Sequence, residues 1–323
     1  MISQQTLGSV LHGFFENYLK LQKGLRPNSI KTYRDAIRLL LQFVAAKNRR
    51  GLARLTLDDL TPVRIEQFLD SLETARGNHI RTRNNRLTAF RVFFEYVGTH
   101  NPERLIDAQR IVAIPIKRVQ PPKTSYLERD EIEDILDRIP KEGRNVLRDR
   151  ALLLFLYNTG ARVQEAADLC VEHLEFNPGP RVRLHGKGDK WRLCPLWNET
   201  AALLKRLLSM PGARSESNTP VFSSRGRALT RFGIYKIVRR HAQHLISKSR
   251  GTRRVSPHVF RHSAATSLLE AGVDINVIRA WLGHISLEST NRYAEITIRT
   301  KAEAVRLCEP PANRSKTNSR STS

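Results

Sequence analysis

The sequence predicts a mainly α protein, with a helical first part and an α+β second part that carries one small β-hairpin. Three observations predict it. Apolar residues recur at helical spacing through the first hundred positions. Strict alternation around a glycine-containing turn occurs between residues 181 and 196. A proline-containing stretch of mixed charge, IPIKRVQPPKT, separates the two parts.

In the first part, Pro27-Asn28-Ser29 opens a helix, with Asn28 or Ser29 expected as its cap. Ile30, Tyr33, Ile37, Leu40 and Val44 then form its apolar face. Thr61-Pro62 is a second start, because proline suits the first helical turn, and Phe68, Leu69 and Leu72 share a face behind it. A third helix is expected from about residue 78 to 97, with Ile80, Leu87, Phe90, Phe94 and Val97 on its apolar side. Arg81, Arg83, Arg86 and Arg91 lie off that side. A solvated face is the ordinary reading of such arginines. Acidic partners four residues away are scarce, so these four are expected to meet a DNA backbone.

Residues 107–124 are expected to form an extended linker between a domain of residues 1–106 and another of residues 125–308. LERDEIEDILDRI is an amphipathic helix with acidic early turns. Residues 148–157 read as a buried helix. Val182 and Leu184 alternate with arginines, Gly186-Lys187-Gly188-Asp189-Lys190 supplies a turn, and Trp191-Arg192-Leu193 resumes the alternation. Helices return from about Thr200. Residues 309–323 are rich in Pro, Ser, Thr and Asn and are expected to be a disordered tail.

Lys and Arg total 55 against 31 Asp and Glu, a formal net charge of +24 over 323 residues. Such an excess favours a polyanionic partner, nucleic acid first. Cys170, Cys194 and Cys308 form no CxxC pair, which argues against a zinc site or a disulfide framework and for a reducing cytoplasm. The first twenty residues lack a signal-peptide pattern, and the longest apolar run, residues 151–157, is too short to cross a bilayer. No membrane association, metal or cofactor is expected.

Candidate chemistry lies in the second part. Arg162 follows Thr159-Gly160-Ala161 at a helix end, with Glu165 three residues on; an ordinary Arg–Glu helix pair would look the same. His258 and Arg261, three apart behind Pro257, share a helix face. His258 and His262 have the spacing of a zinc helix, but Val259 stands where a metalloprotease needs Glu, so metal is discounted. Lys187 sits at the hairpin turn, with Lys190 as a competitor for any lysine role. His284 follows Trp281-Leu282-Gly283, and Tyr293 comes nine residues later. Trp281 is read as core, and His262 as hydrogen-bonded within the helix packing.

Taken in order, TGARVQEAADL, HGKGDKW, SPHVFRH, WLGH and NRYAEI resemble the motifs of the tyrosine recombinase (phage integrase) family. The resemblance covers about residues 6 to 305. It implies that Arg162, Lys187, His258, Arg261, His284 and Tyr293 are the catalytic residues and that Glu165 supports the active-site arginine. SIKTYRDAIRLLLQFV and RTRNNRLTAFRVFFEYV are similar to the family's helical core-binding domain, and the compact size is similar to Xer-like and transposon-encoded recombinases. The implied substrate is double-stranded DNA with specific recombination sites. The implied assembly is four subunits on two sites, a homotetramer or a heterotetramer with a related recombinase, passing through a Holliday junction by C-terminal helix exchange. The implied location is the cytoplasm, at the nucleoid.

The residue types suit that chemistry. Two guanidiniums can fork onto the nonbridging oxygens of a phosphodiester. A phenol near pKa 10 is ionised about one part in a thousand at pH 7, so forming phenolate costs about 4 kcal/mol unless a base or cations help. His258 is the candidate base, Lys187 the general acid for the leaving 5′ hydroxyl, His284 a further hydrogen-bond donor and Tyr293 the nucleophile. A type IB topoisomerase would share this chemistry. A noncatalytic DNA-binding accessory protein would share only the binding.

Overall fold

Prolines and threonines set the helix starts of the first unit, which ends at Pro122; a second unit begins at Lys123. The computed structural model describes residues 6–120, 125–140, 145–186, 188–210, 216–249 and 254–283. The tail 309–323 lies outside them.

The first unit starts with α1 (Leu7–His12), whose cap Thr6 accepts from the Ser9 amide, and runs on as a wider π-type helix over Gly13–Gln22. Then come α2 (Pro27–Asn48), α3 (Pro62–Thr74), α4 (Ile80–His100) and α5 (Leu105–Ala113). Thr61 caps α3 by accepting from the Arg64 amide at 3.3 Å. The cap of α2 is Arg26, not Asn28 or Ser29. Proline's fixed φ and missing N–H place it at the first helical position, so the cap falls on the residue before it. Leu87, Phe90, Phe93 and Val97 of α4 are buried with Ile37, Leu40 and Val44 of α2 and Ile65, Phe68 and Leu72 of α3.

Two further expectations fail here. Residues 107–113 are not extended linker: they belong to α5, which buries Ala108 and Ile111 in the same core. Their spacing of three is helical, but the prolines that follow dominate the local reading. Gly98 admits α5, since a Cβ there would stand 3.1 Å from that of Ala108. Arg83 is also not on an exposed helix face. It is 5% exposed, its Nη1 donates to the Pro115 carbonyl at 3.0 Å, and its Nε lies 3.7 Å from Glu73. The acidic partner sits on α3, where a search along one helix cannot find it. Arg91 is half-buried and donates to the Ile114 carbonyl at 2.6 Å. Arg81 is exposed. Arg86 is half-buried, its Nη1 meets no protein acceptor, and burial followed by the like charge of Arg76 lowers its pKa.

The second unit comprises α6 (Arg129–Asp137), α7 (Val146–Thr159), α8 (Val163–Ala167), β1 (Leu174–Glu175), β2 (Arg181–His185), β3 (Trp191–Pro195), α9 (Asn198–Leu208), β4 (Ser223–Ser224), β5 (Arg227–Ala228), α10 (Arg231–His241), α11 (Gln243–Lys248), α12 (Pro257–Glu270) and α13 (Ile275–Leu282). The first three strands form an antiparallel sheet in chain order; β4 and β5 form a separate pair. The β2–β3 register sets Val182 opposite Cys194 and Leu184 opposite Arg192. Val182, Leu184 and Cys194 are buried, so this is the sheet's inner face. Helix α7 is the core of the unit, with Leu152, Leu153, Phe155 and Leu156 wholly buried. Among the described residues, no helix is long and apolar enough to cross a membrane.

Candidate active site

The site begins where α7 stops. Gly160 caps it at φ +58, a left-handed conformation that favours glycine. A Cβ there would also stand 2.5 Å from Cδ2 of Leu282. The chain then extends through Arg162, the cap of α8. Glu165, at the third position of that helix, accepts the Arg162 amide on Oε2 and its Nη1 on Oε1, both at 2.8 Å. The spacing of three seen in the sequence therefore forms the pair.

Glu165 is also gripped from the sheet. Arg192 Nη1 lies 3.0 Å from Oε1, and its Nη2 lies 2.7 Å from Oε2. Burial pushes this carboxyl's pKa up, but the hydrogen bonds and charges of Arg192 and Arg162 outweigh burial and hold it below the usual range.

Arg261 comes from α12, which starts with Pro257 at its first position. It is 2% exposed, and it donates from Nη1 to the Gly160 carbonyl and from Nη2 to the Leu282 carbonyl, each at 2.6 Å. Arg162 Nη2 donates to the Gly283 carbonyl at 3.2 Å, and Arg192 Nε to the Trp281 carbonyl at 2.8 Å. Three successive carbonyls at the end of α13 are thus taken by three arginines. A helix C-terminus offers unpaired carbonyls and a partial negative charge, so it attracts such donors.

His258 lies one turn before Arg261. The residue as a whole is exposed, but partial desolvation of its ring, then the charges of Arg261 and Arg162, hold its pKa below the ordinary histidine value. The structure brings Arg162, Glu165 and Arg261 together at the end of α13, with His258 one turn before Arg261 on α12. His262 is half-buried with its ring edge-on to His258, centroids 4.4 Å apart. Trp281 packs against the core. Lys187, His284 and Tyr293 lie outside the described residues. The base of the hairpin turn lies beside Glu165: a Cβ on Gly186 would stand 3.4 Å from Oε1. Lys190 is exposed, and its carbonyl accepts the Gly186 amide at 2.7 Å.

Sequence reasoning alone misses Arg192. The usable signal was its place in the hairpin: counting alternation from Val182 and Leu184 across the turn puts an arginine at an inward position.

Two braced guanidiniums one turn from an imidazole form a cationic cluster whose forked donors suit a phosphate. The pattern of the phage integrase family matches residues 125–299, and that of its N-terminal SAM-like domain matches residues 14–99. The putative integrase/recombinase y4rC of Sinorhizobium fredii is 36% identical over 320 residues, covering 98% of this chain and 95% of that protein. The tyrosine recombinase XerD of Chlorobaculum tepidum is 33% identical over 290 residues, 87% of this chain and 90% of its own. The crystal structure of the XerH site-specific recombinase bound to difH substrate, a pre-cleavage complex, aligns with TM-score 0.66 and 26% identity over 88% of this chain and 80% of that one. The chain belongs to the phage integrase family of tyrosine recombinases, enzymes that cleave and rejoin DNA in site-specific recombination.

Proposed function

We propose that this chain cuts and rejoins duplex DNA at its own recombination sites with Arg162, Lys187, His258, Arg261, His284 and Tyr293 as catalytic residues. The observation that carries this reading is the meeting of Arg162 and Arg261 on adjacent carbonyls at the end of α13, with His258 one turn before Arg261 on α12. Arg162 and Arg261 hold the nonbridging oxygens and stabilise the charge that develops at phosphorus. His258 takes the proton of Tyr293, whose oxygen attacks phosphorus. Lys187 gives a proton to the departing 5′ hydroxyl, and His284 adds a hydrogen bond. The 3′-phosphotyrosyl link keeps the energy of the diester, so a second 5′ hydroxyl can displace it without ATP.

DNA as partner is supported by the similar XerH site-specific recombinase, whose structure is bound to difH substrate. In this reading the first unit grips the duplex through Arg81 and Arg86. Residues 125–308 carry the chemistry, and four subunits, identical or shared with a related recombinase, assemble on two sites. The work takes place in the cytoplasm, at the nucleoid.

The test starts with genomic fragments retained by the protein. A nicked duplex made from the enriched sequence should trap a covalent protein–DNA adduct, and Tyr293→Phe should abolish it. Adduct formation by the Phe variant would remove Tyr293 as nucleophile. Binding with no adduct on any retained fragment would make the chain an accessory protein, and relaxation of supercoils by a monomer would make it a topoisomerase.

A further inference from the structure

Arg192 has no part in the chemistry above, yet it is built into the same place. Its side chain is 9% exposed, on the inner face of β3. A buried guanidinium must be well partnered, because an unpaired buried cation is costly. Two of its nitrogens meet the two oxygens of Glu165, and the third donates to the Trp281 carbonyl. Only a planar fork can make this set of bonds at once.

Both targets serve Arg162 and Arg261. Glu165 binds the Arg162 amide and guanidinium. Trp281 offers the first of the three carbonyls, and Leu282 and Gly283 give theirs to Arg261 and Arg162. Resting on the function proposed above, we infer that Arg192 is a positioning residue: from β3 it fixes both the carboxylate that aims Arg162 and the end of α13 that Arg162 and Arg261 bind.

Charge is part of this role. Glu165 shared with Arg162 alone would match that guanidinium one for one. With Arg192 present, two positive charges face one negative charge. Glu165 and Arg192 are 3% and 9% exposed at the side chain, while Arg162 is 34% exposed. Of the three, Arg162 is therefore the one that presents the surplus charge to an incoming phosphate. Gly283 fits the same design, since a Cβ there would stand 3.1 Å from Cδ of Arg192.

The experiment compares wild type, Arg192→Lys, Arg192→Gln and Arg192→Gln with Glu165→Gln on the nicked duplex at saturating DNA. Adduct formation should slow by about tenfold in the Lys variant and about a hundredfold in the Gln variant, with DNA affinity kept within about twofold. Adding Glu165→Gln should return about tenfold of the loss, because it removes the carboxylate that, without Arg192, neutralises Arg162. In the DNA-free protein, amide exchange over residues 279–283 should accelerate by about tenfold in Arg192→Gln. The Lys variant keeps the charge and supplies the readout if the Gln variant does not fold. A double variant no faster than Arg192→Gln, or a loss of DNA affinity that accounts for the whole effect, overturns the inference. So does unchanged exchange in α13. Should the wild type form no adduct, the enzymatic reading fails, and the exchange measurement alone decides whether Arg192 holds α13.

Discussion

Gly160 and Leu282 touch so closely that a Cβ on the glycine would lie 2.5 Å from the leucine Cδ2. This contact joins the end of α7 to the end of α13. Gly160→Ala should therefore cost more than its backbone strain, about 1–2 kcal/mol for the left-handed conformation and about 1–3 kcal/mol for the overlap. Gly272 is the control: its φ is +79, but a Cβ there would meet nothing within 4 Å. Thermal unfolding should show the larger loss for Gly160→Ala, and equal losses would mean that the contact is relieved by repacking.

Glu165→Gln should destabilise the protein by about 3–5 kcal/mol, because it leaves the guanidiniums of Arg162 and Arg192 without their counter-charge. The folded carboxyl sits below its usual range, so its contribution is fully present above the unfolded pKa of about 4.3 and is lost as pH falls through the folded value. Urea unfolding of the variant should lack this part of the acid dependence.

His258 should titrate below about 6.5 in a DNA-free NMR titration of its ring, and Arg162→Gln should move the midpoint upward. The sign for stability follows. Unfolded chains take up this proton first, so the histidine's contribution declines as pH falls through the window between the unfolded and folded values. In the adduct assay, the acid limb assigned to this group should lie below the ordinary histidine range.

Arg83→Ala and Arg81→Ala should separate two roles on one helix. Loss of Arg83 frees the Pro115 carbonyl and leaves Glu73 short of a partner, so stability should fall by about 1–3 kcal/mol. Arg81 is exposed, so its loss should leave stability within about 0.5 kcal/mol and lower the salt dependence of DNA binding by about one phosphate contact. A matched loss of stability in both variants would refute the distinction.

Much of the fold is legible in the sequence. Proline at a helix start, the 3.6-residue period of α2 and α3 and the alternation of β2 and β3 are local signals. The Arg162–Glu165 and His258–Arg261 spacings are local too. What stayed hidden depends on distant chain. Glu73 answers Arg83 from another helix, Arg192 meets Glu165 across 27 positions, and it meets Trp281 across 89. The strands β1, β4 and β5 have two residues each, too few to carry a period. Helix α5 was masked by the prolines that follow it.

The end of α13 has a consequence for the protein before DNA arrives. Arginines crowded round an empty pocket would push one another apart and would have to regroup on meeting their substrate. Here a row of peptide oxygens, each with a partial negative charge, serves as a stand-in anion. It keeps the cationic cluster assembled at rest, and on the function proposed above a scissile phosphate would meet guanidiniums already held in place.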